Sequence, residues 1–232
     1  MAQMGRCCLV VLALTLGSPA FAQVSVPLGS TINVPAGGSM NLGCVALNVL
    51  GSFNLNSGQV SNTGDVSIGA GGNLNGGQGT LSVSGNWSNS GTFIAGTGTV
   101  IFTDGCAAGP LQITGSSVFN NLTLGSGDGR TFVIPAGANI TVNGVLTLQG
   151  TSGQPITLVS SSGQLAIINL GPSAQVTSNF ANVSSNVQIG AAASVQGIPT
   201  LSEYGLIILS LLMAGSALWQ DRRGTFKATR KN

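Results

Sequence analysis

Few side chains in this sequence could carry out acid–base or metal chemistry. Histidine is absent from all 232 residues, which excludes a histidine-based nucleophile relay and removes the commonest metal ligand. Between residues 23 and 197 the only charged side chains are three carboxylates and one guanidinium: Asp65, Asp104, Asp128 and Arg130. Two carboxyl groups could cleave a glycosidic bond, provided that the fold brings them close together.

The spacing of these residues decides whether they can meet. Asp65 and Asp104 are 39 residues apart, so they share one face only if the chain returns to the same place about every 20 residues. Asp128-Gly129-Arg130 has the composition of a turn, and aspartates in Gly-, Asn- and Ser-rich segments commonly stabilise turns. We therefore predict turn residues here, no catalytic residue, no metal site and no cofactor.

Short runs of alternating apolar and polar residues predict the elements that would position these side chains. Each run reads as a half-buried strand of about 4–6 residues bounded by Gly, Asn or Ser. The clearest pairs of inward residues are Val66 and Ile68, Leu81 and Val83, Val100 and Phe102, Leu122 and Leu124, and Leu146 and Leu148. The pattern argues against a disordered segment, although the composition is rich in Gly, Ser and Asn.

The predicted strands recur with a period of about 20 residues. Phe53, Leu74 and Phe93 follow one another at steps of 21 and 19. The same two steps align Leu47 with Ile68 and Trp87, Val60 with Leu81 and Val100, Gly51 with Gly72 and Gly91, and Gly58 with Gly79 and Gly98. A second echo relates residues 32–42 to residues 132–142, each with a Pro-Ala-Gly turn between two strands.

A repeat of this length predicts an all-β, parallel β-solenoid over residues 23–190, with about eight rungs and glycine at the corners. A β-sandwich is the alternative, because antiparallel strands also alternate. Lyases built on β-solenoids resemble this architecture and use clustered acids, with Lys or Arg, to hold calcium and abstract a proton. A polysaccharide-acting lyase or hydrolase is therefore the alternative function, and a uniform Asn/Ser/Thr surface would count against it.

The first 22 residues have the pattern of a secretory signal peptide. Arg6 precedes an apolar core at residues 9–16, and Ala20-Phe21-Ala22 follows Pro19. We predict cleavage by signal peptidase between Ala22 and Gln23 after delivery to the secretion machinery. Residues 23–190 would then be exported, and residues 191–197 would form a linker.

Cys44 and Cys106 would face an oxidising compartment in an exported chain and could form a disulfide. Their separation corresponds to about three rungs, or roughly 14 Å along a regular stack, which exceeds the reach of a disulfide. The segment around Cys106, DGCAAGP, breaks the repeat and could fold back along the rod. The sequence leaves this pairing open.

An apolar run flanked by aromatic and basic residues occupies the C-terminal part of the chain. Residues 206–219 carry no charge, Tyr204 and Trp219 stand at the two ends, and basic residues follow. This order predicts a transmembrane helix at about residues 204–220 and a basic cytoplasmic tail at residues 224–232.

Residues 198–223 also resemble a known sorting signal. Ile198, Pro199, Thr200, Leu201, Tyr204 and Gly205, followed by the apolar run and arginines, are similar to the IPTL-CTERM signal, a relative of the PEP-CTERM signals of bacterial envelope proteins. The resemblance implies processing by an exosortase-type membrane protease and transfer toward the cell surface.

Together these features predict an exported, membrane-anchored bacterial surface protein of structural or adhesive type. The cytoplasmic membrane would hold the C-terminal helix, and a surface polysaccharide is a further candidate partner. A nucleic-acid partner is not expected, because residues 23–197 contain one arginine against three aspartates and no basic cluster. The alternative that keeps the anchor uncut is a permanent single-pass membrane protein.

Overall fold

The structure is a computed structural model that describes residues 23–106 and 109–190. The predicted signal peptide (1–22), linker (191–197), sorting signal (198–223), transmembrane helix (204–220) and basic tail (224–232) lie outside the described residues. In the part that is described, all regular elements are strands, and no helix there is long and apolar enough to cross a membrane.

The described chain winds through eight coils of strands. The first four coils contain β1 (Gln23–Val26), β2 (Thr31–Asn33), β3 (Ser39–Asn41); β4 (Ala46–Val49), β5 (Ser52–Asn54), β6 (Gln59–Thr63); β7 (Val66–Ile68), β8 (Asn73–Asn75), β9 (Thr80–Val83); and β10 (Trp87–Asn89), β11 (Thr92–Ile94), β12 (Thr99–Phe102). The last four contain β13 (Leu111–Phe119), β14 (Asn121–Gly125); β15 (Thr131–Ile134), β16 (Asn139–Val142), β17 (Val145–Gln149); β18 (Ile156–Ser160), β19 (Ala166–Leu170), β20 (Gln175–Asn179); and β21 (Ala181–Val183), β22 (Val187–Ile189).

Three faces run along this stack. The first face has the order β1-β4-β7-β10-β13-β15-β18-β21, and the third has the order β3-β6-β9-β12-β14-β17-β20. The second face consists of β2-β5-β8-β11 and, after a break in the ladder, the end of β13 followed by β16-β19-β22. Strand β13 serves two faces, because the chain bends at Gly115, whose φ is 83°.

Every pair of neighbouring strands in these faces is parallel, as shown by β1 with β4, β9 with β12 and β18 with β21. The predicted parallel β-solenoid is therefore confirmed for the described residues, and the sandwich alternative is wrong. Each strand lies on the strand of the preceding coil, so a coil obtains its inter-strand hydrogen bonds only from its neighbours along the rod.

Two of the predicted columns agree fully with the register. Phe53 and Phe93 both pair with Leu74, and Val60 and Val100 both pair with Leu81. These residues point inward, and the side chains of five of the six are buried or nearly so, with Phe93 packed against the core as a half-buried ring.

The predicted column of Leu47, Ile68 and Trp87 is wrong at its middle position. Leu47 and Trp87 both pair with Val66, whereas Ile68 lies opposite Val49. The cause is local: the third coil carries its two additional residues at the corner between β7 and β8, so the step on the first face is 19 and then 21. Applying the steps of 21 and then 19 to every face could not detect that the first face has them in the opposite order.

The repeated Pro-Ala-Gly sequence forms the same local turn at both places, as predicted, but the two turns lie at different corners of the coil. Gly38 donates to Pro35 O at 2.9 Å and Ala138 to Pro135 O at 3.0 Å, and Gly37 and Gly137 both have positive φ. The first turn joins the second face to the third, whereas the later turn joins β15 on the first face to β16 on the second. The same short sequence therefore makes a turn without specifying which corner it forms.

Glycine is required in the column of Gly58, Gly79 and Gly98 for a reason other than φ. A Cβ atom on Gly79 would lie 2.6 Å from Gly58 O, and one on Gly98 would lie 2.7 Å from Gly79 O. None of the three has a positive φ. The stacked coils approach too closely here for any side chain, so the expectation of special corner conformations is corrected at these positions.

Aromatic rings fill the middle of the rod. The centroid of Trp87 is 5.0 Å from that of Phe93 and 5.4 Å from that of Phe119, and Phe93 and Phe119 are 5.3 Å apart. The indole Nε1 of Trp87 donates to Ser117 Oγ at 3.0 Å, so the buried ring has a partner for its polar atom. This cluster lies where the fourth coil meets the fifth.

The neighbouring residues Val118 and Phe119 test the inward and outward assignment. Phe119 is fully buried and Val118 is 45% exposed, although both are apolar. We expect Phe119→Ala to lower the free energy of unfolding by about 3–5 kcal/mol, because it leaves a cavity beside Trp87. Val118→Ala should change it by less than about 0.5 kcal/mol. Equal shifts of the urea midpoint in the two variants would contradict the assigned faces.

Candidate functional site

All four charged side chains of the described residues occupy one column of corners, where the third face passes to the first. Asp65 immediately precedes β7, and Asp104 follows β12. Asp128 and Arg130 lie between β14 and β15, one coil further along. The predicted return of the chain about every 20 residues therefore brings them to one edge of the rod.

Arg130 is the buried centre of this corner column. Its side chain is only 5% exposed, and its Nε atom is 3.5 Å from Asp104 Oδ1. Nη1 donates hydrogen bonds of 3.1 Å to Ser84 O and to Thr103 O. Because a buried guanidinium needs partners to offset its lost hydration, these contacts join three successive corners through one side chain.

The second oxygen of Asp104 organises the turn that carries Arg130. Asp104 Oδ2 accepts from Ser126 Oγ at 3.0 Å and from Gly127 N at 2.6 Å. Ser126 Oγ in turn accepts from the backbone N–H groups of Asp128 and Arg130, each at 3.1 Å. Both carboxylate oxygens of Asp104 therefore already have partners within the corner column.

Asp65 and Asp104 share the column but are not paired. Asp65 Oδ1 accepts from Asn86 N at 2.6 Å, so it is bound to the next corner along the rod. Asp104 is engaged one corner further on, with Arg130 and Ser126. Both aspartates make the turn-stabilising contacts that the sequence favoured.

A cleft opens at this column. It is an open cleft of about 580 Å³, lined by Asp104, Gly105, Cys106, Gly109, Pro110, Asp128, Gly129, Arg130 and Thr131. Asp128 is the exposed carboxylate on its wall. The cleft thus contains two carboxylates and one guanidinium, but Asp104 and Arg130 are committed to each other and to the backbone. Nowhere in residues 23–106 and 109–190 do three His, Cys, Asp or Glu side chains group to hold a metal ion.

A disulfide closes the same column. Cys44 and Cys106 are bonded, with their Cα atoms 5.0 Å apart across a sequence separation of 62. The distance expected from a regular stack does not apply, because the segment after β12 leaves the repeat and folds back. Gly109 and Pro110 line one small pocket together with Asp65 and Gly85, which lie at the corners of earlier coils.

The role of Arg130 is not predicted by its local sequence. Asp128-Gly129-Arg130 has the composition of a turn, and residues 127 and 128 do form a bend. The available signal was that Arg130 is the single cation of residues 23–197. Burying a charged side chain costs free energy unless it is paired, so an isolated arginine in an almost uncharged chain indicates a paired residue.

The outer surface carries regular columns of uncharged polar side chains. On the first face the outward residues of successive coils are Ser25, Asn48, Ser67, Ser88 and Thr114. On the third face Thr123, Thr147 and Thr177 follow one another. Adjacent amides also bond, since Asn54 Nδ2 donates to Asn33 Oδ1 at 2.8 Å. These columns offer hydroxyl and amide groups, and exposed apolar side chains such as Ile94, Val118 and Ile167 lie among them on the outer surface.

Comparison with known families places a second site in the C-terminal part of the chain. Residues 196–223 match the model of the IPTL-CTERM motif, which confirms the resemblance carried by Ile198, Pro199, Thr200, Leu201, Tyr204 and Gly205. Curated proteins and solved structures contain no match to the chain. The matched segment lies outside the described residues.

Removal of Arg130 should destabilise the rod. Arg130→Ala leaves Asp104 and the carbonyl groups of Ser84 and Thr103 without their donor, so we expect a loss on the order of 3 kcal/mol in the free energy of unfolding. Asp128→Ala, on the exposed wall of the same cleft, should change it by less than about 0.5 kcal/mol. Urea unfolding of the purified variants measures both, and an Arg130→Ala variant as stable as its control would refute the structural role.

The disulfide should contribute through the long loop that it closes. Cys106→Ser should cost about 4 kcal/mol, since a closed loop of about 60 residues restricts the unfolded chain. Cys44→Ser should cost the same, and the double variant no more than either single variant. Thermal unfolding under non-reducing conditions gives the three values, and additive losses would mean that the two cysteines act independently.

Proposed function

We propose that this protein is an exported bacterial envelope protein of structural or adhesive type, delivered by a C-terminal sorting signal. The match of residues 196–223 to the IPTL-CTERM motif carries the proposal. The signal-peptide pattern of residues 1–22 supports export.

The three parts of the C-terminal tail, which are the motif, the apolar run and the basic residues, have different functions in this proposal. The apolar residues 206–219 hold the chain in the cytoplasmic membrane, and the basic residues after Trp219 stay on the cytoplasmic side. Ile198 to Leu201 then lie just outside the bilayer on the exported side, within reach of a membrane protease. An exosortase-type protease reads these residues, removes the signal and passes the ectodomain toward the surface.

The ectodomain acts as an uncharged rod in this proposal. Eight coils at a spacing of about 4.8 Å give a stacked length of roughly 40 Å. Columns of Ser, Thr and Asn side chains along the faces can exchange hydrogen bonds with the hydroxyl groups of a neutral surface polysaccharide. Long-range electrostatic attraction to the rod contributes little, because the four charged side chains of the described residues are confined to one corner column.

One observation favours a second candidate, a polysaccharide-acting enzyme. Asp104, Asp128 and Arg130 line one open cleft, which is the arrangement of two acids and a base that such an enzyme requires. The hydrogen bonds of Arg130 and Asp104 weigh against it, because both groups already bind the corner. An enzyme would be supported by polysaccharide cleavage that Asp128→Asn abolishes without changing thermal stability.

The sorting signal is tested by a double alanine substitution. Replacing Pro199 and Thr200 with alanine leaves the apolar run and the basic residues unchanged, so membrane insertion should be retained. Processing should stop, because the protease has lost the residues that it reads. The size of the protein and its partition between membrane and surface fractions, in cells that carry the protease, measure the two effects separately.

A matched control replaces Ser194 and Val195, which precede the matched segment, with alanine and should be processed like the parent. If the Pro199/Thr200 variant is cut and released as efficiently as this control, the sorting function is wrong. If the parent itself is never cut, the protein is a permanently anchored single-pass membrane protein.

A further inference from the structure

The C-terminal end of the described rod exposes apolar residues that its inner coils bury. Val183 in β21 stacks on Leu158, and Leu158 is fully buried whereas Val183 is 41% exposed. Ile189 in β22 stacks on the buried Ile168 and is itself only partly covered. In the described part of the chain β21 pairs only with β18 and β22 only with β19, so each has one unpaired edge.

The opposite end of the rod has the same character. Val24 in β1 and Ile32 in β2 are half-buried, while the residues that stack on them, Leu47 and Phe53, are fully buried. Within the described residues β1 pairs only with β4, and β2 only with β5. Cleavage between Ala22 and Gln23 would remove the segment that precedes this edge.

Within residues 23–106 and 109–190, the edge strands of neither end carry the features that normally prevent strand pairing. Soluble proteins protect open edges with charged residues, proline, bulges or a covering segment. Strands β1, β2, β21 and β22 contain no charged residue and no proline. In the described part of the chain, both edges therefore present unpaired backbone donors and acceptors beside partly exposed apolar residues.

The two ends are complementary because they terminate the same parallel stack. Placing the N-terminal end of one copy on the C-terminal end of another keeps every strand parallel. Each face of one copy then continues the same face of the other. On the first face, the inward and half-buried Val24 of β1 would meet inward Ala181 and Val183 of β21. On the second face, Ile32 would meet β22.

We propose that the N-terminal end of the rod, β1 and β2, binds the C-terminal end, β21 and β22, of a second copy of this protein. The contact uses the first two faces, because the third face ends one coil earlier, at β20. Such a contact joins two different surfaces and does not close on itself, so it produces filaments of copies in line. The inference rests on the proposed function in one respect, the removal of residues 1–22 during export.

The test uses the exported full chain, purified in detergent, with its first residue determined by N-terminal sequencing. Sedimentation velocity and electron microscopy should show rods whose lengths are multiples of one copy. Val24→Lys and Val183→Lys each place a charge at one end, and each variant alone should sediment as a single molecule. Ser67→Lys, an exposed position on the same face in the third coil, should assemble like the parent.

Mixing the two end variants distinguishes the possible contacts. Val24→Lys retains a free C-terminal end and Val183→Lys retains a free N-terminal end, so their mixture should form dimers and nothing longer. Dimers of either variant alone would show contact between like ends and would overturn the proposal, as would a parent that begins at Gln23 and sediments as a single molecule. A parent that retains residues 1–22 would instead show that the proposed export processing is wrong, and the assembly inference would fail with it. Unchanged far-UV circular dichroism verifies that each variant is folded.

Discussion

Parallel stacking of coils in register is the constraint on which the rest of this structure depends. A single coil has no partner for its strand backbone and cannot cover its inward side chains, so both must be satisfied by the coils on either side. The inward columns, such as Phe53, Leu74 and Phe93, follow from this requirement. The column of Gly58, Gly79 and Gly98 follows as well, because stacked corners bring a carbonyl oxygen to the place where a Cβ atom would be.

The irregular part of the molecule is concentrated along one edge. The corners between the third and first faces contain all the charged side chains of the described residues, the disulfide and the segment that leaves the repeat. Arg130 and the Cys44–Cys106 bond act in the same way, since each joins corners of different coils that are otherwise linked only through neighbouring strands. The edge that resembles an active site is therefore also the edge that holds the stack together.

The segment proposed for sorting and the solenoid domain occupy different parts of the chain. The C-terminal segment that matches the IPTL-CTERM motif accounts for the proposed sorting, and it does so independently of the fold that precedes it. The solenoid supplies a rod with uncharged faces, and within the described residues its two end strands on the first two faces each have an unpaired edge. For a protein released at the cell surface, those ends give a physical basis for assembly, because the interactions that join coil to coil can also join copy to copy.

The sequence by itself determined the strands, the period and the parallel stack, because alternation and a repeat of about 20 residues both follow from local chain geometry. It also identified the sorting motif, whose residues are contiguous. Only the tertiary structure decided that Leu47 pairs with Val66 and not Ile68, because the additional residues of the third coil are confined to one corner. It alone joined Cys44 to Cys106 and assigned Arg130 to Asp104, Ser84 and Thr103. The disulfide depends on how the segment after β12 folds back over earlier coils, and the Arg130 contacts depend on which side chains the stacked corners turn inward. Neither period nor composition specifies these.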